Sequence, residues 1–314
     1  MTNRLILLFV FMLCGLTHEL SAKVSKSELP LADPCVFLED DVYYAYGTHS
    51  DEGIECYTST DLKHWSFRGL ALHKDNTSET HWFWAPEVIK RNGRYYMYYS
   101  ANEHLYVAVA SSPLGPFRQV AGPLLSERSI DGLPYLDDDG QWYFFFVRLH
   151  HGNHVWVARM TDDGLSLQTE TLKPCVSAAD DWEIDDEHFP QCRVAEGPSV
   201  WKHNGRYYLT YSANHYQSRK YGVGVAVASS VYGPWKKLPD NPILQQGFHL
   251  CGTGHHGLFY DKKGRLTMMF HAHNSATEVH PRLSYVVRMK IRPSDSGQER
   301  LSVGRRLIVP QLVK

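Results

Sequence analysis

The sequence lacks any cluster of basic residues, and its overall charge is close to neutral. Its 32 Lys and Arg residues are balanced by 34 Asp and Glu residues, which gives a formal net charge of −2. Proteins that bind nucleic acids or anionic membranes usually carry a basic patch that neutralises phosphate groups. The charge pattern therefore argues against both partners.

The sequence also lacks the cysteine spacing of a zinc site, because no CxxC pair and no Cys/His ligand pattern occurs. Six cysteines are present, and five of them follow residue 22. An odd number in an exported protein leaves at least one thiol free. Cys175 and Cys192 bracket the longest insertion, so one interpretation is a disulfide that closes this loop. Buried free thiols are the other interpretation.

Long apolar runs are absent except at the N-terminus. Arg4, the apolar run from Leu5 to Leu16 and a small-residue site ending at Ala22 predict a signal peptide over residues 1–22. The run is too short for a membrane-spanning helix. The chain is therefore expected to be exported, to the periplasm or the medium. Cys14 raises the alternative of a lipid anchor, but an ordinary apolar cysteine is favoured because the bulky Leu13 precedes it.

Amphipathic helices longer than two turns are absent too, and what the chain has instead is a repeated pair of strands. Five times a short apolar strand begins near a polar residue and leads through a turn into an aromatic-rich strand such as RYYMYYS or RYYLTYS. The five polar residues are Asp33, Glu87, Asp131, Glu196 and His255. Repeats of roughly 45 to 65 residues that contain only strand signals are typical of a β-propeller.

We therefore predict an all-β fold in which residues 23–314 form a single five-bladed β-propeller. Aromatic residues, 13% of the chain, are expected to pack between the blades. The final segment RRLIVPQLV is expected to close the ring against the N-terminus, since an open ring would leave an unpaired edge.

Three of the five polar residues are carboxylates followed by a residue that favours a turn: Asp33, Asp131 and Glu196. A propeller brings the first strand of every blade to one axis, so these carboxylates are expected to meet there. Inverting hydrolysis of a glycosidic bond needs a carboxylate base and a protonated carboxyl acid, roughly 6.5 to 9.5 Å apart, with a water between them. The pattern therefore points to glycoside cleavage.

Together the motifs A-D-P, W-A-P-E-V, I-D-G-L-P-Y-L-D-D-D-G, E-G-P and G-T-G-H resemble glycoside hydrolase family 43, in the family's order and over nearly the whole chain after residue 22. The resemblance implies an inverting, five-bladed enzyme that removes arabinofuranose, xylose or galactose units from plant polysaccharides.

The same resemblance implies the catalytic roles. Asp33 matches the general base, Glu196 the general acid and Asp131 the carboxylate that raises the pKa of the acid and orients it. The alternative to these catalytic roles is structural: Asp33 and Asp131 would only form turns, and Glu196 would be a buried structural residue. Gly132 stands where the family usually has Pro, which affects the turn more than the carboxylate. The following run of aspartates, 137–139, is expected to form a solvated turn.

His255 matches a histidine that family members present to the axial cavity, near a bound calcium or its water shell. Calcium prefers oxygen ligands, so a lone imidazole would act mostly through water. A hydrogen-bonded histidine is the alternative, and it is also the expectation for His256, His271 and His273.

Four further residues are candidates for substrate binding. Trp84 is a candidate apolar wall for a sugar ring, with packing as the alternative. Glu87 would bond a sugar hydroxyl or its own neighbours. Trp182 lies in the acidic insertion DDWEIDDEHF, which is either a solvated loop or a lid over the substrate. Arg282 would reach into the pocket, with a surface position as the alternative.

The leading hypothesis is an exported exo-glycosidase, most plausibly an α-L-arabinofuranosidase, with an arabinose-, xylose- or galactose-containing glycan as its partner. A β-xylosidase or exo-β-galactosidase on the same scaffold is the alternative, since these activities share the motifs. A glycoside phosphorylase would need a cationic cluster for phosphate, and the motifs contain none. The non-enzymatic alternative is a carbohydrate-binding propeller, which would usually have lost the acid or the base.

Overall fold

The computed structural model describes residues 27–293 and 299–313, and the predicted signal peptide with Cys14 lies outside these residues. Nearly all regular structure is β. The helical segments are three 3₁₀ turns, Lys74–Asn76, Asp181–Glu183 and Gly247–His249. Among the described residues, no helix could cross a lipid bilayer.

Five antiparallel sheets follow one another along the chain. After β1 (Ser27–Glu28), blade one contains β2 (Ala32–Glu39), β3 (Val42–Ser50), β4 (Gly53–Ser59) and β5 (His64–His73). Blade two contains β6 (Trp84–Arg91), β7 (Arg94–Ala101), β8 (His104–Ala110) and β9 (Arg118–Ala121). Blade three contains β10 (Ser129–Leu136), β11 (Trp142–Leu149), β12 (Asn153–Met160) and β13 (Leu167–Ser177).

Blade four contains β14 (Ala195–His203), β15 (Arg206–Ala213), β16 (Gly222–Ala228), β17 (Lys236–Lys237) and β18 (Leu244–Gln245), the last two both paired with β16. Blade five contains β19 (Gly254–Tyr260), β20 (Leu266–Ala272), β21 (Leu283–Arg292) and β22 (Arg300–Ile308), and β23 (Gln311–Val313) follows it. The five-bladed propeller is confirmed.

The hydrophobic core is divided into five clusters, one at each interface between neighbouring blades. Tyr46 of blade one packs with Tyr99 of blade two, for example, and Phe145 of blade three packs with Tyr211 of blade four. Twisted sheets in a ring leave wedge-shaped gaps that large planar side chains fill. The aromatic content of the sequence is therefore core, as expected.

The ring closes through its last strand. β23 pairs in parallel with β5, with Gln311 opposite His64, and pairs antiparallel with β1, with Leu312 opposite Ser27. The chain end thus covers the outer edge of blade one, which would otherwise expose unpaired backbone groups. The expectation that the final segment closes the ring is confirmed.

The first strand of every blade is interrupted by a bulge at the same place. Each bulge contains a residue with left-handed φ, between 36° and 56°: Asp33, Ala85, Asp131, Gly197 and His255. Such bulges change the direction of a side chain, which would otherwise alternate between the two faces of the sheet. In this ring they turn the five residues, here called the bulge residues, toward the axis.

The backbone N–H of four bulge residues donates to a polar side chain on the second strand of the preceding blade. Ala85 donates to Thr48, Asp131 to Ser100 and His255 to Ser212, at 2.8–3.0 Å, and Asp33 donates to His271 Nδ1 at 3.2 Å. A buried N–H without such an acceptor would be costly.

The bulge of blade four is the exception. Blade three carries Val147 at the position of these acceptors, as its pairing with Ile130 shows. The N–H of Gly197 donates instead to Oδ2 of Asp131 at 3.0 Å. Asp131, a candidate catalytic carboxylate, thus also links blade three to blade four.

The insertion between blades three and four differs from the expectation of a solvated loop or a substrate lid. Glu183 is fully buried, accepts from the Tyr211 hydroxyl at 2.6 Å and pairs with Lys237. Asp185 is also buried and accepts from the Ser218 hydroxyl. The acidic residues of the insertion therefore include two that anchor it to blade four.

Two smaller predictions were wrong, and one open alternative is decided. Cys175 and Cys192 are free thiols, so the interpretation without a disulfide is the one that holds. Trp182 packs on Tyr211, with 6.1 Å between ring centroids, and fills the space left by Gly224. Asp137 does not lie in a solvated turn, because it is buried and bonded to Lys202 and Tyr207.

Candidate active site

A cavity of about 310 Å³ lies at the axis, and all five blades contribute to its wall. Its residues include both charged groups and apolar side chains: Asp33, Trp84, Glu103, Ile130, Asp131, Leu149, Asn153, Cys192, Val194, Glu196, His215, Tyr216, His255 and Arg282. The three carboxylates predicted from sequence thus meet in one pocket, as the propeller geometry requires.

Asp33 is surrounded by nitrogen atoms. Nη1 and Nη2 of Arg282 donate to its two carboxylate oxygens at 2.8 and 3.3 Å. His255 Nδ1 lies 3.3 Å from Oδ1, and His271 Nδ1 lies 3.2 Å from the same oxygen. Burial would raise the pKa of Asp33, but Arg282, His255 and His271 outweigh it and hold the pKa well below its usual range. Asp33 is therefore a carboxylate at neutral pH.

Glu196 is in the opposite electrostatic situation. Its carboxyl accepts from the Asn153 amide at 2.7 Å and from the Tyr221 hydroxyl at 2.9 Å, and no cation contacts it. Burial, assisted by the charge of Asp33, raises the pKa of Glu196 to about 7, although the two hydrogen bonds act against it. Glu196 can therefore hold a proton near neutral pH.

Asp131 lies between these two groups. Burial, followed by the charges of Glu196 and Asp33, raises the pKa of Asp131 well above its usual range, while the N–H of Gly197 favours the charged form. A negative charge on either Asp131 or Glu196 opposes a charge on the other. The pair therefore retains a proton at neutral pH.

The strand register shows that Glu196 and Glu87 do not occupy the bulge position that Asp33 and Asp131 occupy. Asp33 and Asp131 are bulge residues, but Glu196 stands one residue before the bulge residue Gly197. Glu87 stands two residues after the bulge residue Ala85. The sequence pattern suggested that the five polar residues of the repeat are equivalent. They are not, because their positions relative to the bulge residue of their blade differ.

Glu87 is the residue that this offset removes from the cavity. It lines a small space of about 10 Å³ at the axis, to which Asp33, Asp131 and His255 also contribute. Burial raises the pKa of Glu87 to about 7, and Cys35 beside it lowers that pKa in part. Trp182 is absent from the wall of the cavity as well. Neither residue lines the cavity that holds the three carboxylates.

Arg282 and Trp84, in contrast, lie in the wall of the cavity. The surface position considered for Arg282 is wrong, because its guanidinium binds Asp33 and lies over the ring of Tyr216 at 4.8 Å. Trp84 presents an aromatic side chain beside the carboxylates, where a sugar ring would pack.

The axis does not offer the oxygen cage that calcium prefers. His255 Nδ1 faces Asp33 at 3.3 Å and Asp131 at 4.0 Å. In the described residues, the only set of three acidic or His groups close enough to share one ion is Asp185, Glu187 and His188, in the insertion. His255 therefore does not fit a directly coordinated calcium, and calcium near it stays a prediction from the resemblance.

Two residues that contact a carboxylate were not singled out from the sequence, Asn153 and Tyr221, which bind Glu196 directly. His271, expected only as a hydrogen-bonded histidine, contacts Asp33. His256 and His273, like His271, are hydrogen-bonded as expected, to Thr210 and to the Tyr216 carbonyl. The repeated second-strand endings, Y-S-A in blades two and four and F-H-A in blade five, were an available signal for His271. Asn153 and Tyr221 carried none.

The sequence model of glycosyl hydrolases family 43 matches residues 27–295. The chain belongs to this family. It is a glycoside hydrolase, and the inverting mechanism is general in family 43.

Related proteins agree with this assignment. The chain is 28% identical to a β-xylosidase of Xylanibacter ruminicola, over 65% of this chain and 77% of that protein. It is 29% identical to the β-D-galactofuranosidase xynD of Aspergillus niger, over 73% of this chain and 69% of that protein. A crystal structure described as an endo-1,4-β-xylanase of Bacteroides thetaiotaomicron superimposes with a TM-score of 0.86 at 45% identity, covering 92% of this chain and 99% of that one.

Proposed function

We propose that this family 43 hydrolase is an exo-glycosidase in which Asp33 activates water and Glu196 protonates the leaving oxygen. The observation that carries the proposal is the opposite environment of the two carboxyls in one cavity. Arg282, which donates to both carboxylate oxygens, keeps Asp33 charged, whereas burial keeps a proton on Glu196. A base and an acid held in these states are what inverting hydrolysis requires.

The shape of the cavity supports exo action. Its wall is formed by all five blades and encloses about 310 Å³ beside the carboxylates, a small space for a polysaccharide chain to cross. A pocket of this kind admits the end of a glycan chain more readily than its middle. The product is therefore expected to be a monosaccharide.

For the released sugar we propose a terminal pentose. α-L-arabinofuranose is the leading candidate, and relatives named xylosidase/arabinosidase support it, although the catalytic motifs are shared with the alternatives. β-Xylose is the second candidate, favoured by the names of relatives such as the β-xylosidase of Xylanibacter ruminicola and the xylosidase/arabinosidase of Bacteroides ovatus.

A panel of 4-nitrophenyl glycosides, with arabinofuranose, xylose and galactose as the sugars, tests this proposal. We expect hydrolysis of one of the two pentosides, with NMR showing that the first product has the inverted anomeric configuration. Glu196→Gln should lose most of its activity on an oligosaccharide of the same sugar, whose leaving oxygen needs the proton of the acid, and lose less on the nitrophenyl glycoside, whose leaving group is a stable anion. Unchanged hydrolysis of the oligosaccharide by a folded Glu196→Gln protein would refute the acid assignment, and sugar binding without any hydrolysis by the natural chain would favour the carbohydrate-binding propeller.

We also propose that the chain is exported and that residues 1–22 are removed. Expression of the full chain, followed by N-terminal sequencing and mass determination of the exported protein, tests this. A mature chain that begins at Lys23 supports cleavage after Ala22, whereas a lipid-modified chain that begins at Cys14 would support anchoring instead.

A further inference from the structure

Two tryptophans form a step at the rim of the active-site cavity. The rings of Trp82 and Trp84 are nearly parallel, with an interplanar angle of 15° and 5.6 Å between their centroids. Stacked carbon atoms touch at about 3.5–4.0 Å, so the two rings are offset sideways. Trp84 lines the cavity, and Trp82 lies outside it with 48% of its surface exposed.

Trp82 is held in this exposed place by a strained backbone. Its φ is 58°, a left-handed value that bulky side chains rarely adopt. The neighbouring His81 is fixed to the β7–β8 turn, because its carbonyl accepts from the Asn102 N–H at 3.2 Å and its Nε2 lies 3.0 Å from Asn102 Oδ1. The Asn102 amide in turn donates to Glu79 at 3.2 Å. Strain that keeps a large apolar ring in solvent is more typical of a binding site than of packing.

The same turn supplies a polar group beside the step. Glu103 follows Asn102 and lines the cavity together with Trp84, and its Oε2 accepts from Arg128 at 2.9 Å. Sugars are bound by a combination of an aromatic face, which packs on their C–H groups, and a carboxylate or amide, which bonds their hydroxyls. Trp82, Trp84 and Glu103 provide both at the mouth of the pocket.

We propose that Trp82 and Trp84 form a subsite for the leaving group, in which the outer ring of Trp82 packs against a sugar of the glycan chain from which the terminal unit is cut. This inference rests on the proposed exo activity and extends it: the natural substrate is an oligosaccharide or polysaccharide chain, not a single sugar on a small aglycone. Trp82 then contributes to the choice of chain length and not to the chemistry of bond cleavage.

The test compares substrates with and without a sugar leaving group. The probes are the fluoride of the sugar identified by the glycoside panel and oligosaccharides of that sugar from two to five units long. For Trp82→Ala we expect kcat/KM on the longer oligosaccharides to fall about 3- to 10-fold, the loss expected for one aromatic contact. Activity on the glycosyl fluoride should stay unchanged, and Trp82→Tyr should restore most of the loss.

Phe67→Ala is the matched control, because Phe67 is an aromatic residue of β5 that is 52% exposed and does not line the cavity. It should leave both kinds of substrate unaffected. Equal losses on the fluoride and the oligosaccharides, or no loss on either, would overturn the subsite. So would a change in oligomeric state of Trp82→Ala with an unchanged chain-length profile, since Trp82 would then be an interface residue. If the natural chain hydrolyses neither fluoride nor oligosaccharides, it is the proposed function that fails.

Discussion

At the scale of single residues, the properties of the site arise from what each carboxyl touches. Asp33 has Arg282 on both of its oxygens, whereas Glu196 has only the neutral groups of Asn153 and Tyr221. The two acids differ in pKa because a cation stabilises one charge and burial opposes the other. Assignments of base and acid therefore follow from neighbours as much as from the residues themselves.

Replacing Asp33 by Asn should separate catalysis from binding. Asn keeps the shape of the side chain but cannot take a proton from water, so we expect kcat to fall about 10²- to 10⁴-fold. Sugar affinity, measured by calorimetry, should change little. Asp162→Asn, at an exposed position of blade three, is the control. Loss of binding in a folded Asp33→Asn protein would point to a binding role instead.

The pH dependence should follow the proton of Glu196. Since the acid must be protonated and its pKa is raised to about 7, kcat/KM should be high below that pH and fall as the pH rises through it. Tyr221→Phe removes a hydrogen bond that favours the carboxylate, so the basic limb should move to higher pH. A basic limb that does not move in Tyr221→Phe would show that another group titrates there.

Arg282 should control the acidic limb. The guanidinium lowers the pKa of Asp33, and activity needs this carboxyl ionised. In Arg282→Met the pKa of Asp33 should rise, so kcat/KM should be lost at a higher pH on acidification than in the natural chain. A pH–rate profile of both proteins checks this, and an unchanged acidic limb would contradict the role given to Arg282.

Prediction from sequence succeeded for residues that stand in a recognisable motif with their neighbours in the chain. Asp33 and Asp131 precede Pro and Gly at recurring turns, and the structure places both in the cavity. Asn153 begins β12 of blade three, and Tyr221 directly precedes β16 in the same blade as Glu196. No motif marks either residue, and only the packing of these two neighbouring blades brings both to Glu196, so their contacts could not be read from local patterns.

At the scale of elements, the strands were predictable from alternation but their bulges were not. A bulge shifts the pairing by one residue without leaving a trace in apolar periodicity. Glu87 was therefore grouped with the other polar residues of the repeat, as a candidate for substrate binding, although it lines the smaller space and not the cavity. Gly132, which replaces the usual Pro, has a reason visible only in the fold: a Cβ there would lie 2.2 Å from the ring of Phe144.

The insertion between blades three and four should depend on Glu183. Removing this buried carboxylate leaves Tyr211 without its acceptor and Lys237 with only the more distant Asp180, 3.8 Å away, and breaking a buried pair costs about 3 kcal/mol. We expect Glu183→Ala to lower the free energy of unfolding by about that amount, measured by urea denaturation. Glu187→Ala, an exposed position of the same segment, should have little effect. Equal stability of the two variants would contradict the anchoring role.

At the scale of the whole molecule, stability should depend on the closure of the ring. A chain that ends before Gln311 loses β23, which pairs with both β1 and β5. We expect a lower free energy of unfolding, measured in urea, and association through the exposed edge of β5, measured by light scattering. Leu312→Ala, which keeps the backbone pairing, should be milder. A truncated chain as stable as the natural one would mean that β23 does not hold the ring closed.

The five bulge residues carry Asp, Ala, Asp, Gly and His in blade order. Each has the same left-handed backbone conformation and faces the same axis, so the five positions are structurally equivalent. Blade two is the one where that point, Ala85, bears only a methyl group. A carboxylate or imidazole engineered there would join Asp33, Asp131 and His255 around the small axial space that Ala85 already lines, which makes Ala85 a starting place for altering the enzyme's chemistry.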